Sequence, residues 1–362
     1  MPEEVWAVSD LGVGLIGANA ERGWARAAHV PAIQTLAGLE LVAVATRRQE
    51  SADAAAAAFG ARAAYGDPLD LVRDEDVDIV AVASTVSSHH ELIVAALDAG
   101  KHVITEWPVA ITLEETGEIA RRADVAGCRV AVGLQGRTSP ATREALRRIS
   151  RGDIGEILYA TVYSAVSGFG GAVDESALYL EDLATGMNLP TIMGGHTLDI
   201  VTHLAGELAS CSVLTTIQYP TVSVDGSATT HPRTIADHIL VQGRLSGGGA
   251  LAAEIVGGRP VDEALFRLDV VGRDGVISLS GGGPAGFQAG VLGLAVDGEP
   301  VELDLGERAS LPPQAVNTAG VYAALRDDIR DGTHTAPSPP DAIRLQRLVE
   351  MITSTRADAV HG

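Results

Sequence analysis

Lysine is almost missing from this chain of 362 residues; the only one is Lys101. Basic residues are scarce overall, with 26 Lys and Arg against 47 Asp and Glu, for a formal charge of −21. Binding to nucleic acid needs a basic stripe, so no nucleic-acid partner is expected and the acidity reads as solvated surface. Cysteine is nearly as rare. Cys128 and Cys211 stand far apart with no neighbours at metal-ligand spacing, which excludes a disulfide framework and a zinc cluster and predicts a cytoplasmic setting. No metal site is expected. Aromatic residues make up only 4% of the chain. No apolar run reaches the roughly 18 residues of a membrane helix, and the opening MPEEVWAVSD is acidic without a signal-peptide core. What is abundant is Ala, Val, Leu and Gly, in a 46% apolar composition typical of globular α/β proteins and long enough for two domains.

The first part of the chain repeats a strand–helix rhythm. Strands are expected over 11–17, 39–47, 76–84, 101–106 and 128–135, and helices over 24–36, 51–59, 89–100 and 112–127. Such alternation predicts a doubly wound parallel sheet. After a helix near 140–151 the pattern changes. Segments 157–166, 210–220, 237–245, 249–257, 265–273 and 275–281 read as strands, interrupted by a helix at 196–207. They predict an α+β domain with a large, open, mostly antiparallel sheet. Two amphipathic helices, 314–332 and 340–360, flank the Pro-rich stretch 333–340. The expected organisation is a dinucleotide-binding Rossmann domain over 1–137 and a substrate and oligomerisation domain over 138–332. A linker and a C-terminal helix over 333–362 are expected to return to the first domain.

The first strand ends in GLIGANAERGWA (14–25). A dinucleotide fold wants glycine here, where the backbone approaches a pyrophosphate at a helix N-terminus. Gly17 takes the first position, Asn19 the second, and Gly23 comes one residue late. Asn tolerates the left-handed backbone better than most residues, so the turn is expected to survive. Arg22 and Trp24 are further cofactor candidates in the same turn. The second strand ends in Thr46, Arg47 and Arg48, with no acidic residue to hold a ribose 2′-hydroxyl. A hydroxyl with two guanidinium groups suits the 2′-phosphate of NADP better than NAD.

AVASTVSSHHELIVAALDAGKHVITEWP (81–108), read with the glycine turn, resembles the Gfo/Idh/MocA oxidoreductase family. The resemblance implies a Rossmann domain, an open-sheet domain, and hydride transfer between NAD(P) and a hydroxyl of a sugar or cyclitol. It also implies homo-oligomers, dimers or tetramers, formed through the C-terminal sheet. Ser84, Thr85, His89, Glu106 and Pro108 then fall at the cofactor. The family carries Glu-Lys-Pro where this chain has Glu106-Trp107-Pro108. A second family signature pairs an Asp with a His four residues later; here His196 keeps its place and Ile192 replaces the Asp. Asp199, one turn beyond His196, also looks family-like. GWARAAHVPAI, EWP and GGHTLDIVTHLAG resemble one branch that includes a galactose-pathway repressor which binds dinucleotide without acting as a dehydrogenase.

Hydride transfer at a carbon bearing oxygen needs a group that handles the hydroxyl proton. An indole N–H only donates. Lys101 lies at the other end of the strand from Trp107, roughly 16 Å away at 3.3 Å per residue, so lysine catalysis is excluded. His196 is the remaining acid/base candidate, with Asp199 on the same helix face to support it. Gln135, Arg137, Tyr163, Tyr179 and Asn188 are candidate substrate contacts. Trp107 has three open readings: packing a nicotinamide or sugar ring, filling the lysine's place in a redox-silent site, or lying in the core. Three functions stay in play. One is an NADP-dependent oxidoreductase using His196, another a dinucleotide-binding sensor without turnover. The last is an enzyme that uses bound cofactor transiently for elimination or epimerisation.

Overall fold

The computed structural model describes residues 10–355 and 358–359, in two compact units. The first runs through Val109 and adds Glu115–Gly133 and Gly306–Pro339. Its strands are β1 (Leu11–Ile16), β2 (Leu39–Ala45), β3 (Ala63–Tyr65), β4 (Ile79–Val82), β5 (His102–Glu106) and β6 (Val130–Gly133). All pair in parallel, in the order β3-β2-β1-β4-β5-β6. Every residue of β4 and β6 is buried, as continuous apolar strands between helical layers require. The helices between strands are α1 (Val30–Thr35), α2 (Gln49–Phe59), α3 (Pro68–Val72), α4 (His89–Asp98) and α5 (Leu113–Ala126). The order reverses between β1 and β4, the position at which such sheets bind dinucleotides across their carboxyl edge. Lys101 sits just before β5, its Nζ donating to the Asp74 carbonyl at 2.9 Å.

The doubly wound sheet thus agrees with expectation, with one strand more. The three half-buried residues of β3 form an edge without an apolar run to announce them. The C-terminal expectation needs correcting. Helix Pro313–Asp331 belongs to this first unit, where Ala319, Val321, Tyr322 and Leu325 join the core of Val13, Leu15 and Ile33. The Pro-rich stretch is also fixed here: the Asp328 carboxylate accepts from the Thr335 and Ala336 amides, and Val132 N–H donates to the Pro337 carbonyl at 2.7 Å. Helix Pro339–Thr353 falls almost wholly in the second unit. The 333–362 segment as a whole therefore does not return to the first domain.

The second unit comprises Ala110–Glu114, Leu134–Leu305 and the chain from Pro340. It contains α6 (Pro140–Ser150) and β7 (Ile157–Ala165), then β8 (Ala172–Val173) and α7 (Leu189–Ala205). The strands β9 (Leu208–Ile217), β10 (Thr221–Val224), β11 (Thr230–Pro232), β12 (His238–Leu245) and β13 (Ala250–Val256) follow. After them come β14 (Phe266–Gly272), β15 (Val276–Gly281), β16 (Leu292–Val296), β17 (Glu299–Val301) and β18 (Asp358–Ala359). A nine-stranded sheet runs β17-β16-β15-β14-β7-β13-β12-β9-β18, and β8, β10 and β11 form a small one. The large sheet is antiparallel except at β7/β13 and β9/β18. The helix expected over 340–360 stops at Thr353, and Asp358–Ala359 pair with β9 instead. Residues 356, 357 and 360, like the opening MPEEVWAVS, lie outside the described residues.

Along β7 the two-residue period separates the faces. Ala160, Val162 and Ser164 are buried, whereas Thr161 is exposed and Tyr163 half-buried on the opposite side. Thr197 of α7 donates to Ser164 Oγ at 2.9 Å, so α7 packs on the buried face. It also begins seven residues before the expected start. Asn188 caps it, its Oδ1 accepting from Thr191 N–H at 3.1 Å and Thr191 Oγ1 at 3.0 Å, and Pro190 suits the first turn.

Candidate functional site

The glycine turn after β1 is built for close backbone approach. Gly17 has φ +91°, and a Cβ there would stand 2.6 Å from the Ala83 carbonyl oxygen, so only glycine fits. Its N–H donates to Ala45 O while Ala83 N–H donates to Ile16 O, both at 3.0 Å. Gly23 is also left-handed, at φ +98°, but faces open space. Asn19 departs from expectation: it is not among the described residues with positive φ. Its Oδ1 instead accepts from the Glu21 and Arg22 amides at 2.9 and 3.0 Å, an Asx turn that stands in for the missing glycine. Trp24 Nε1 is buried without a hydrogen-bond partner.

Beyond the turn, Pro31 has no N–H to return to Ala27. The chain takes a wide π-type turn over Ala25–His29 before α1, a feature frequent at functional sites. It brings His29, fully buried, to Glu106 at the end of β5. His29 Nε2 lies 2.9 Å from Glu106 Oε1, and Nδ1 lies 2.8 Å from the Tyr322 hydroxyl. Complete burial holds the Tyr322 pKa well above 10, so its O–H donates. His29 Nδ1 then accepts and Nε2–H donates to Glu106, the tautomer that satisfies all three groups.

At the end of β2, Thr46 Oγ1 hydrogen-bonds to Arg48 O at 2.8 Å and to Ser51 Oγ at 2.5 Å. Arg47 and Arg48 are exposed, and no hydrogen bond or ion pair engages either guanidinium among the described residues. After β4, Ser84 and Ser88 share a hydrogen bond of 2.8 Å and Thr85 is exposed. His89 opens α4, with Nε2 3.0 Å from Ser84 O and Nδ1 3.0 Å from Pro108 O. Burial lowers its pKa while the two carbonyls oppose that shift, since a neutral ring donates to only one of them at a time. Trp107 is only 5% exposed and Pro108 is also buried. So little free indole face favours the reading in which Trp107 lies in the core over the one in which it packs a nicotinamide or sugar ring.

The other candidates belong to the second unit. His196 in α7 is 5% exposed, its ring edge-on to Phe287 at 6.5 Å between centroids, and Phe287 stacks on Phe266 at 4.1 Å. Asp199 does not support His196. Its carboxylate is taken by Arg137, whose Nε reaches both oxygens at 2.9 Å and whose Nη2 reaches Oδ1 at 2.5 Å. Arg137 Nη1 also donates to Asp341 at 2.9 Å, so Arg137 is bound up in the protein rather than free for substrate. Burial pushes the Asp199 carboxyl up to about 6 although Arg137 opposes it. Burial outweighs Asp341 and, with Arg137, brings nearby His203 down to about 4.

Tyr163 is corrected outright: strand alternation puts it on the open sheet face, across the sheet from α7 and His196. Asn188 is a helix cap, and Tyr179 is 42% exposed in the short helical turn Glu175–Glu181. Gln135 is 3% exposed, its Oε1 without a partner. Sequence reasoning passes over His29 and Tyr322, and over Arg233. Arg233 directs N–H groups at Glu181, Asp237 and the carbonyls of Phe169 and Gly170. The only advance signal for His29 is its place just ahead of Pro31.

Residues 11–134 match the oxidoreductase family with NAD-binding Rossmann fold, Gfo/Idh/MocA, and residues 140–281 match the Gal80p C-terminal domain. The galactose/lactose metabolism regulatory protein GAL80 of Saccharomyces cerevisiae is 28% identical over 76% of this chain and 67% of its own length. A 1,5-anhydro-D-fructose reductase of Ensifer adhaerens is 34% identical over 54% of each protein; the chain thus spans only about half of that enzyme relative. Among solved structures, a super-repressor mutant of Gal80p from Saccharomyces cerevisiae superposes with TM-score 0.84 and 25% identity over 95% of both chains. Levoglucosan dehydrogenase in complex with NADH and levoglucosan shares the fold, with TM-score 0.80 and 22% identity over 95% of this chain and 96% of that one. With its six-stranded parallel sheet, glycine turn and large antiparallel sheet, the chain joins a Rossmann domain of the Gfo/Idh/MocA oxidoreductase family over residues 11–134 to a C-terminal domain of the Gal80p type over residues 140–281.

Proposed function

We propose that this protein is an NADP(H)-dependent oxidoreductase of a sugar, cyclitol or related polyhydroxylated substrate, with His196 as acid/base. The observation that carries the cofactor choice is the end of β2: two exposed guanidinium groups with no partner among the described residues, and no carboxylate at the strand end to repel a 2′-phosphate. The Gly17 turn supplies the backbone approach that a pyrophosphate needs. Relatives that are named reductases and dehydrogenases support turnover. Titration calorimetry with NADP and NAD tests the cofactor, and tighter NAD binding overturns the preference. A sugar and cyclitol panel, read at the nicotinamide absorbance, tests turnover. His196→Ala is expected to abolish the change while sparing cofactor binding.

A second reading is a dinucleotide-binding regulator without turnover. Trp107 and Ile192 stand at the family's lysine and Asp positions, and the GAL80 relatives are named regulatory proteins. It predicts that no substrate panel works and that cofactor alters affinity for a protein partner. Under either reading the protein is a homo-oligomer. The open sheet face of the second unit carries a cavity of about 660 Å³ whose lining includes Tyr163, Leu214, Leu240, Gln242 and Arg267, a surface suited to a second copy. Light scattering that returns a 37.3 kDa particle overturns this. A cytoplasmic location fits the free Cys128 and Cys211; no helix among the described residues is long and apolar enough to cross a membrane.

A further inference from the structure

Glu106 ends β5 at the carboxyl edge, beyond the point where the strand order reverses. A dinucleotide laid across that edge has its 2′-phosphate end at β2 and its nicotinamide half on the β4–β5 side. The Glu106 side chain is 19% exposed there, and the only ion-pair partner it has among the described residues is His29. His29 takes the Tyr322 hydroxyl at Nδ1 and turns its Nε2–H to Glu106. Burial disfavours charge on His89, and the next residue is the indole of Trp107 rather than an ammonium group. No lysine remains to neutralise the site, because Lys101 is held at the far end of the strand by Asp74. At the end of β5, away from Arg47 and Arg48 on β2, no Arg or Lys among the described residues pairs with the Glu106 carboxylate.

We infer that the site discriminates between the redox states of its cofactor, binding the oxidised dinucleotide in preference to the reduced one. This rests on the dinucleotide reading above. The oxidised nicotinamide ring carries a positive charge and the reduced ring none, so a fixed carboxylate beside it favours only the former. The buried Tyr322–His29 pair acts as a positioning device, since it directs a donor at Glu106 Oε1 and leaves the carboxylate's charge uncompensated. In partly buried surroundings one such charge pair is expected to favour NADP⁺ over NADPH by about tenfold or more.

Calorimetric titration of the full chain with NADP⁺ and with NADPH reads the ratio of the two dissociation constants directly. If the NAD pair binds more tightly, the ratio is read on NAD⁺ and NADH. Glu106→Gln keeps an oxygen for His29 and removes the charge, and should shrink the ratio to about threefold or less. Trp107→Lys, which adds a cation beside an intact Glu106, should move it in the same direction and guards against a folding artefact at Glu106. Equal binding of both forms by the unmodified chain, or a ratio unchanged in Glu106→Gln, overturns the inference. Failure of every dinucleotide to bind overturns the cofactor reading itself, and the inference with it.

Discussion

Replacing Arg137 with methionine leaves the carboxylate of Asp199 buried without its cation. Asp199 is 2% exposed, and among the described residues the guanidinium supplies every hydrogen bond it receives from a side chain. Breaking a buried ion pair from one side costs about 3–5 kcal/mol, most of it the charge left behind. Asp341, the second acceptor, keeps Arg344 as a partner, so the loss centres on Asp199. Replacing both members, Arg137→Met with Asp199→Leu, removes the stranded charge and should recover about 2 kcal/mol of that loss. The two variants also differ with pH. The folded-state pKa of Asp199, already about 6 against a reference of 3.8, rises further without Arg137. A raised carboxyl pKa costs stability as pH rises through it and costs nothing once the group is protonated in both states. The single variant's deficit should therefore be smaller at pH 5 than at pH 8, while the double variant's should narrow by about 1 kcal/mol over the same range, because only wild type then loses stability as Asp199 ionises. Urea unfolding followed by circular dichroism at both pH values measures this. A double variant as unstable as the single one at pH 8 refutes the reasoning.

Three further outcomes follow from the same geometry. His203, at about 4 against 6.5, contributes stability that is fully present above pH 6.5 and lost as pH falls toward and through 4. The wild-type advantage over His203→Gln should thus fall by about 3 kcal/mol between pH 7.5 and 4, since each pH unit between the two pKa values is worth about 1.4 kcal/mol; a constant gap in urea unfolding would count against it. Gly17→Ala forces a Cβ to 2.6 Å from the Ala83 carbonyl at φ +91°. It should abolish measurable dinucleotide binding in calorimetry, and retained affinity would show that the turn is not the binding turn. Tyr322→Phe deprives buried His29 Nδ1 of its donor and should lower unfolding free energy by about 1–3 kcal/mol. An unchanged urea midpoint would show that the hydroxyl is not holding the imidazole.

The parallel sheet is legible in the sequence because its strands are buried on both faces and so read as unbroken apolar runs between helical stretches. The edge strand β3 carries no such run: its three residues are all half-buried. Gly17 can be assigned from one residue and its place after a strand. Tyr163 cannot, because a strand's two faces differ by a single step in register, and a polar aromatic suits either. Asp199 and Arg137 both stand out in the sequence, but Asp199 as a support for His196 and Arg137 as a substrate contact. Their mutual hydrogen bonds span 62 positions and leave no local signature. His29 and Tyr322 lie 293 positions apart, and only the return of helix Pro313–Asp331 to the first unit brings them together. That return is itself hidden, since amphipathic helices at the chain's end carry no mark of the core they join.

Lys101, tethered to Asp74 just ahead of β5, gives the molecule a practical asymmetry. It is the only side-chain amine in the chain, and it lies on the amino edge of the parallel sheet, opposite Glu106 and Trp107. An amine-reactive dye or surface linker finds no other side chain to react with, and every linkage made through Lys101 leaves the carboxyl edge facing solution. Immobilised in this way, the protein can be exposed to nucleotides or to candidate partner proteins with the attachment point remote from the edge under test.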